Sequence, residues 1–441
     1  MDSELEARSR ALYHLKETTP KPYNYGFAKL SNELTLIVTK VCNIKCVYCY
    51  DKSNAPSDKE EEVFYSKIRK EELSTDEIVN LIRMVRRLGS KRIRITGGDP
   101  FMRSDIWTIL DECADMEVTI CTNGTLMNNP KLKEKVSKFS KLHLHISIDG
   151  MDAHAKYRVG STTQQVLKNV KWAKQEIPDA YISINTVLNS ENVYELVELY
   201  NLLKSIGIER WTVSFPRFGR EAQLSKLKLP PIKDMVEEFK KLFTIYQSDG
   251  KPFGFTFCYF YKYELYNTKG YTLPPVADSD HPCLPNASGC KGFTIDSFGN
   301  VLDCLVLPSL MDKPVNIRSC LKEGNNEAAL VETIYASLKS PYYELSVKNS
   351  EICMNCRYRN ICKGGCPANV WWLTDYQKLA APDPLSCFMF DAFEREILPM
   401  LPQEDKEGLE SLIDKSKAYK DKEKIKQQNA DLLNRVGWLS E

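Results

Sequence analysis

The sequence predicts an α/β fold in which a partial (β/α)6 barrel precedes a small cysteine-rich domain. Short apolar runs alternate with amphipathic stretches from about residue 31 to 220, polar motifs follow several of the apolar runs, and cysteines cluster towards the C-terminus. Six strand–helix repeats are too few to close an eight-stranded barrel, so we expect an open barrel with its ligands at the carboxyl ends of the strands. The predicted strands are 34–39, Arg92–Thr96, Val118–Thr122, Leu142–Ser147, Tyr181–Val187 and Trp211–Phe215.

The other segments divide the chain into five parts. Ser74-Thr75-Asp76-Glu77 is a capping-box signal that begins a helix over Thr75–Leu88. A helical stretch near Met235–Tyr246 and an aromatic segment over Phe253–Tyr271 form a bridge. We interpret those aromatics as core and interface packing, with a substrate groove as the alternative. The predicted parts are an N-terminal extension (1–30), the barrel (31–220), the bridge (221–282), the cysteine-rich domain (283–390) and a charged helical tail (391–441).

Composition and charge exclude several classes of protein. Lys and Arg number 60 against 59 Asp and Glu, which gives no electrostatic reason to expect a nucleic acid or membrane partner. No apolar stretch is long enough to span a membrane, and the start of the chain is not a signal peptide. We therefore expect a cytoplasmic protein, in which the 15 cysteines bind metal or stay reduced rather than form disulfides.

Three cysteines lie in one short loop directly after the first predicted strand. Cys42, Cys46 and Cys49 have the spacing Cys-x3-Cys-x2-Cys. A closed structural metal site takes four ligands, so three thiolates suit a four-iron cluster with one iron open for a second molecule. The alternative is half of a zinc site that is completed elsewhere in the chain.

Eight further cysteines are grouped in the C-terminal part, enough for two complete four-thiolate sites. Two zinc sites would also suit such spacing. Asp296–Asn300, with Gly299, precedes one of them and predicts a hairpin turn. The remaining four, which we interpret as ordinary buried thiols, are Cys113, Cys121, Cys258 and Cys320. The grouped cysteines are Cys283, Cys290, Cys304, Cys353, Cys356, Cys362, Cys366 and Cys387.

The three-cysteine loop and the motifs after it resemble the signature of the radical S-adenosylmethionine (radical SAM) superfamily over residues 31 to about 220. Thr96-Gly97-Gly98-Asp99-Pro100 is similar to the segment that holds the methionine amino group, with Asp99 where Glu is more frequent. Cys121–Gly124 and His145–Gly150 also resemble family segments. The resemblance implies that Tyr48 lies near the adenine and that Arg158 is the best candidate for the cofactor carboxylate. The cofactor contacts it implies are Tyr48, Gly97, Gly98, Asp99, Asn123, Ser147, Arg158 and Asn185.

The C-terminal cysteine pattern resembles the SPASM domain, an extension with two auxiliary four-iron clusters. By this resemblance Cys283, Cys290, Cys304 and Cys366 hold the first auxiliary cluster. Cys353, Cys356, Cys362 and Cys387 hold the second. Both sets are complete, so we expect both clusters to carry electrons. Leu305 stands where the sulfatase-maturing branch has an Asp, which argues against that branch.

Together the resemblances imply an oxidoreductase with S-adenosylmethionine and three 4Fe–4S clusters. Cofactor cleavage would give a 5′-deoxyadenosyl radical that abstracts hydrogen from a peptide or protein, followed by oxidation or cross-linking. A flavodoxin or ferredoxin is the expected electron donor. The alternatives are dehydrogenation of a small molecule such as a sugar or amino-sugar, and a non-catalytic iron–sulfur or zinc scaffold. The catalytic residue is left open, with Asp303, Tyr271 and His281 as positional candidates only.

Overall fold

The computed structural model describes residues 33–49, 61–216, 227–258, 261–262, 293–417 and 427. The range 293–417 lacks 308–309, 312, 323–326, 338, 374–378, 380 and 412. Twelve strands occur in these residues: β1 Glu33–Thr39, β2 Lys45–Cys46, β3 Arg92–Gly97, β4 Glu117–Thr122, β5 Lys141–Ser147, β6 Arg158–Val159, β7 Tyr181–Val187, β8 Arg210–Ser214, β9 Gly254–Phe257, β10 Tyr261–Lys262, β11 Phe293–Ile295 and β12 Val301–Leu302.

The main sheet contains ten of these strands in the order β10-β9-β8-β7-β5-β4-β3-β1-β11-β12. The strands from β9 to β11 run parallel to their neighbours. Strands β10 and β12 pair antiparallel at the two ends. The six strands that the sequence predicts are all present, and the open α/β arrangement is confirmed. Strands β2 and β6 form a separate small sheet beside the cysteine loop.

Helices connect the strands and continue into the C-terminal part. The α-helices are α1 Glu61–Glu71, α2 Thr75–Arg87, α3 Ile106–Glu112, α4 Pro130–Val136, α5 Asp152–Tyr157, α6 Thr163–Glu176, α7 Leu196–Ile206, α8 Ile232–Ser248, α9 Arg318–Lys322, α10 Glu327–Ser337, α11 Glu351–Met354, α12 Arg359–Cys362, α13 Pro367–Leu373, α14 Pro384–Ala392 and α15 Gln403–Glu410. Short 3-10 turns lie at Pro100–Met102, Asn192–Glu195, Pro341–Glu344, Val347–Asn349 and Leu398–Met400, and a π-helical turn lies at Phe393–Ile397. No helix within these ranges is long and apolar enough to cross a membrane.

The capping box predicted for α2 is present. The Glu77 N–H donates to Ser74 Oγ over 3.2 Å, and the Ser74 N–H donates to Glu77 Oε2 over 2.8 Å. The predicted hairpin turn also forms, because Asp296–Asn300 joins the antiparallel strands β11 and β12. Gly299 has φ +87° there, a backbone conformation that favours glycine.

The two faces of the sheet differ in polarity, and this difference positions the site. On β5, Leu142, Leu144 and Ile146 are buried in the main apolar core, which includes residues of helices α2–α4 and α6–α8. Because side chains alternate along a strand, His143 and His145 lie on the opposite face, where they are half-buried. That polar face is the interior of the partial barrel.

Candidate functional site

The cysteine loop lies at the carboxyl edge of the sheet, directly after β1. Cys42 is buried, whereas Cys46 and Cys49 are half-buried. Cys46 lies opposite Arg158 in the β2–β6 pairing. The Cys49 N–H donates to the Cys46 carbonyl over 3.2 Å. Backbone hydrogen bonds therefore hold the loop that contributes the three thiols.

Two side chains reach the cysteine sulfurs. Arg158 Nη1 lies 3.7 Å from Cys46 Sγ, and Asn123 Nδ2 lies 3.8 Å from Cys42 Sγ. Burial raises the pKa of both thiols to about 12, so a bound metal is needed to favour their thiolates at neutral pH. Hydrogen bonds to cysteine sulfur also help to set the potential of iron–sulfur clusters. The donor set of this loop fits a 4Fe–4S cluster.

The glycines of the Gly97-Gly98-Asp99-Pro100 segment pack closely against the cysteine loop. A Cβ on Gly98 would lie 2.3 Å from the Val41 carbonyl oxygen, and one on Gly97 would lie 2.2 Å from that of Thr39. The Gly98 N–H donates to Thr39 over 2.8 Å, and the Asp99 N–H donates to Val41 over 2.9 Å. The close approach that glycine permits is made here by the chain's own backbone. Contact of this segment with a cofactor stays a prediction.

Asp99 joins the ends of β3 and β4. Its carboxylate is fully buried and accepts from the Thr122 hydroxyl (2.7 Å), the Asn123 N–H (2.8 Å) and the Phe101 N–H (3.0 Å). Donors of the chain itself therefore surround the carboxylate. Through the Asn123 backbone, Asp99 positions the side chain that reaches Cys42.

Asp149 is a site residue that the sequence did not single out. Its fully buried carboxylate accepts from Arg158 Nε (2.8 Å), the Val187 N–H (2.8 Å) and the Tyr48 hydroxyl. Burial raises the pKa of Asp149, and the Arg158 guanidinium opposes that rise. The Arg158 guanidinium thus pairs with Asp149, and its contact with a cofactor carboxylate stays a prediction. The signal that could have found Asp149 is the Asp-Gly pair just after a predicted strand.

Ser147 and Asn185 lie opposite each other at the ends of β5 and β7. Both are half-buried. Asn185 Oδ1 accepts from the Ser214 hydroxyl over 3.3 Å. The Ser147 hydroxyl has no hydrogen-bond partner within the part of the chain that the structure describes. Tyr48 is buried, and the Arg158 guanidinium lies 5.4 Å from the centre of its ring. The structure thus places all the predicted cofactor contacts at the carboxyl edge near the cysteine loop.

The second predicted cysteine set is brought together in the C-terminal part. Burial raises the pKa of Cys362 and Cys387, and the charges of Cys353 and Cys356 raise it further, so the four thiols influence one another. The Tyr358 N–H donates to Cys356 Sγ over 3.4 Å. Four thiols that interact electrostatically, one of which accepts from a backbone N–H, suit thiolate ligation of a four-iron cluster, and that assignment stays a prediction.

Only two cysteines of the other predicted set lie within the described residues. Cys304 and Cys366 are half-buried, whereas Cys283 and Cys290 lie outside the described residues. Tyr271 and His281 also lie outside them. Burial raises the pKa of Asp303 to about 6, and its carboxylate accepts from the Ser340 hydroxyl over 2.5 Å. Within the described ranges, no three His, Cys, Asp or Glu side chains converge closely enough to hold one metal ion.

Asp383 organises the backbone between the two predicted auxiliary sets. Its buried carboxylate accepts from the Cys366 N–H (3.0 Å) and the Ser386 hydroxyl (2.7 Å), and its carbonyl accepts from the Cys387 N–H (3.1 Å). A Cβ on Gly365 would lie 2.2 Å from Asp383 Cβ. Sequence reasoning missed this residue, although Asp before Pro384 is a helix-start signal.

Comparison with known proteins identifies the domain that contains the cysteine loop. The model of the radical SAM superfamily matches residues 36–203. A probable GTP 3′,8-cyclase of Archaeoglobus fulgidus is 27% identical over 227 residues, which cover 50% of this chain and 67% of that protein. An AdoMet-dependent heme synthase of Methanosarcina barkeri is 26% identical over 352 residues, which cover 77% of this chain and 92% of that protein.

Two solved structures share the fold beyond the matched domain. Streptococcus suis SuiB bound to the precursor peptide SuiA has a TM-score of 0.56 and 17% identity, covering 86% of this chain and 79% of that one. The enzyme anSMEcpe with bound AdoMet has a TM-score of 0.51 and 17% identity, covering 83% of this chain and 97% of that one. The similarity of fold thus includes much of the C-terminal extension. Residues 36–203 are a radical SAM domain.

Proposed function

We propose that this chain is a radical SAM enzyme with a SPASM extension that oxidises or cross-links a peptide or protein. One observation supports the proposal: a loop with three cysteines and a second group of four cysteines occur together in a fold similar to that of SuiB. When bound at the open iron and reduced, S-adenosylmethionine supplies a 5′-deoxyadenosyl radical for hydrogen abstraction.

The residues around the loop have distinct roles in this proposal. Cys42, Cys46 and Cys49 hold the first cluster, and Arg158 and Asn123 donate to two of their sulfurs. Hydrogen bonds to sulfur stabilise negative charge on it, which favours the reduced cluster because that state carries the additional electron.

The proposed cofactor contacts lie at the carboxyl edge of the sheet. The Ser147 hydroxyl and the Asn185 amide face the barrel interior next to each other, as suits binding of a ribose or carboxylate. The buried Tyr48 ring would close the adenine side and exclude water. Asp99 and Asp149 act as positioning residues, because their carboxylates bind the chain's own donors.

Net oxidation needs an electron acceptor, and the auxiliary clusters supply one in this proposal. Cys283, Cys290, Cys304 and Cys366 would hold one such cluster, and Cys353, Cys356, Cys362 and Cys387 the other. A flavodoxin or ferredoxin would reduce the first cluster. The peptide class is supported by a fold shared with a protein whose crystal structure contains a precursor peptide.

A small-molecule substrate is the second candidate. It is favoured by sequence similarity to proteins named GTP 3′,8-cyclase and AdoMet-dependent heme synthase. The same domain and the same first cluster would serve either class. Only a product analysis separates them.

Iron analysis tests the cluster assignment. Anaerobic reconstitution should give about twelve irons per chain, four for each cluster. Replacing Cys42, Cys46 and Cys49 together by Ala should remove about four irons and abolish 5′-deoxyadenosine formation with dithionite. Replacing the exposed Ser205 by Ala is the matched control and should change neither value. Two bound zinc ions and no deoxyadenosine would instead support a non-catalytic scaffold.

Peptide assays test the substrate class. The reduced enzyme with S-adenosylmethionine and a peptide encoded by a neighbouring gene should yield a peptide that has lost two hydrogens, seen by mass spectrometry. Omitting the cofactor is the control. Turnover that responds only to nucleotides, sugars or amino-sugars would refute the peptide proposal and favour the second candidate.

A further inference from the structure

A serine hydroxyl links two histidines inside the partial barrel. Ser183 Oγ on β7 lies 2.7 Å from His145 Nδ1 and 2.6 Å from His143 Nε2, both on β5. Ser183 is fully buried, and the two imidazoles are half-buried. Nothing in the cofactor contacts proposed above uses these three side chains.

The hydroxyl group imposes opposite hydrogen-bonding roles on the two rings. With both imidazoles neutral, Ser183 can donate its one proton to one ring and accept from an N–H of the other. Either His145 Nδ1 donates and His143 Nε2 accepts, or the roles are reversed. The hydrogen-bonded row of His145, Ser183 and His143 therefore has two states, which differ by the transfer of protons along it.

The surroundings favour neutral rings. Burial lowers the pKa of His143 to about 4, helped by the guanidiniums of Arg94 and Arg210 and by Lys141. Burial likewise lowers the pKa of His145 to about 3, helped by His143 and by the guanidiniums of Arg94, Arg210 and Arg158. Glu33, which pairs with Arg94 over 3.3 Å, and the Cys121 thiol also face this interior. A neutral pair can pass on a proton without retaining it.

The hydrogen-bonded row begins close to the proposed cofactor contacts. His145 lies two residues before Ser147 on the same face of β5 and pairs with Cys121, two residues before Asn123. His143 lies further from the carboxyl edge, towards the exposed Lys141 at the start of β5. The two histidines thus extend from just below the cofactor contacts towards the opposite end of the strand.

We propose that His145, Ser183 and His143 form a proton relay for the oxidation, an inference that rests on the proposed function. In that reaction the substrate gives a hydrogen atom to the deoxyadenosyl group, an electron to an oxidised iron–sulfur cluster, and a proton to the relay. The proton binds His145 Nε2 while His145 Nδ1–H passes to Ser183 Oγ. The Ser183 hydroxyl proton passes to His143 Nε2, and His143 Nδ1–H is released to water.

The first test measures the imidazoles of the ¹⁵N-histidine-labelled holoenzyme by long-range ¹H–¹⁵N NMR. We expect neutral His143 and His145, with a proton on only one of the two nitrogens that face Ser183. Ser183→Ala should shift both sets of resonances, whereas Ser161→Ala, which removes the hydroxyl 3.0 Å from His154 Nε2, should leave them unchanged. Two protonated rings, or rings that do not respond to Ser183→Ala, would overturn the relay.

The second test compares 5′-deoxyadenosine with oxidised peptide. Ser183→Ala and His145→Gln should still abstract hydrogen, but the ratio of deoxyadenosine to oxidised product should rise by about 100-fold, the lower range for loss of acid–base catalysis. Iron content and circular dichroism identify any variant that fails to fold. The product ratio of the other variant then decides whether the relay exists. Unchanged ratios in folded variants overturn the relay. A wild-type enzyme that cleaves the cofactor but oxidises no peptide refutes the proposed function instead, and the NMR result still decides whether the hydrogen-bonded chain exists.

Discussion

Replacing Asp149 by Asn should weaken the fold around the cysteine loop more than most single substitutions. The buried carboxylate accepts from Arg158 Nε, the Val187 N–H and the Tyr48 hydroxyl. Asn keeps one acceptor oxygen and adds an NH₂ group that faces existing donors. The substitution also leaves the buried Arg158 without its counterion.

The expected magnitude follows from the burial of the pair. Arg158 is 8% exposed and Asp149 0% by side chain, so water replaces little of the lost interaction. Removing one partner of such a pair costs about 3–5 kcal/mol of the free energy of unfolding. Arg158→Gln should cost a similar amount. The double variant should cost less than the sum of the two by about 0.5–3 kcal/mol, because no buried charge is then left unpaired.

Anaerobic urea unfolding followed by circular dichroism measures these four free energies, with iron content as a second readout. The exposed Asp179, in the turn before β7, gives a matched Asp→Asn control that should change stability by less than about 0.5 kcal/mol. Strictly additive effects, or single variants as stable as the control, would refute the assigned pairing. Asp149→Asn and Arg158→Gln should also lower the amount of iron bound, since Arg158 lies next to Cys46.

Two further predictions concern packing and pH. Gly98→Ala should reduce the bound iron and destabilise the protein, because its Cβ would overlap a carbonyl of the cysteine loop. Gly89→Ala has open space around it but a φ of +97°, so it should cost about 1–2 kcal/mol and leave the bound iron unchanged. Equal iron content in the two variants would contradict this. Burial lowers the pKa of His154 to about 3, while the unfolded chain protonates it below about pH 6.5. Stability should therefore fall as the pH drops from about 6.5 towards 4, by up to about 1.4 kcal/mol per pH unit for this group. His154→Gln should remove that part of the slope in urea unfolding, and parallel pH profiles would contradict it.

The six predicted strands and helix α2 could be predicted because their signals are local. Alternation of apolar and polar residues marks β5, and the capping box marks the start of α2. The cysteine loop and the Gly97-Gly98 segment were recognisable for the same reason, since each is a short motif. Local patterns of this kind need no knowledge of the partner segments.

The contacts between distant segments could not be predicted. Asp149 and Arg158 are each ordinary in sequence, and only the folded backbone brings the guanidinium of one to the carboxylate of the other. The Ser183 link between two histidines depends on the register of β5 and β7, which no local pattern determines. Strand β11 lies more than 250 residues after its neighbour β1, and its three residues carry too little pattern to reveal the pairing.

The pairing of β11 with β1 affects how the protein can be divided. Leu34, Thr35 and Leu36 lie opposite Phe293, Thr294 and Ile295. A fragment that ends before β11 would leave one edge of β1 with unpaired N–H and C=O groups beside an apolar, aggregation-prone strand. The strand that leads into the cysteine loop is thus shielded by the C-terminal part of the chain. A fragment designed to isolate the barrel should therefore retain the β11–β12 hairpin.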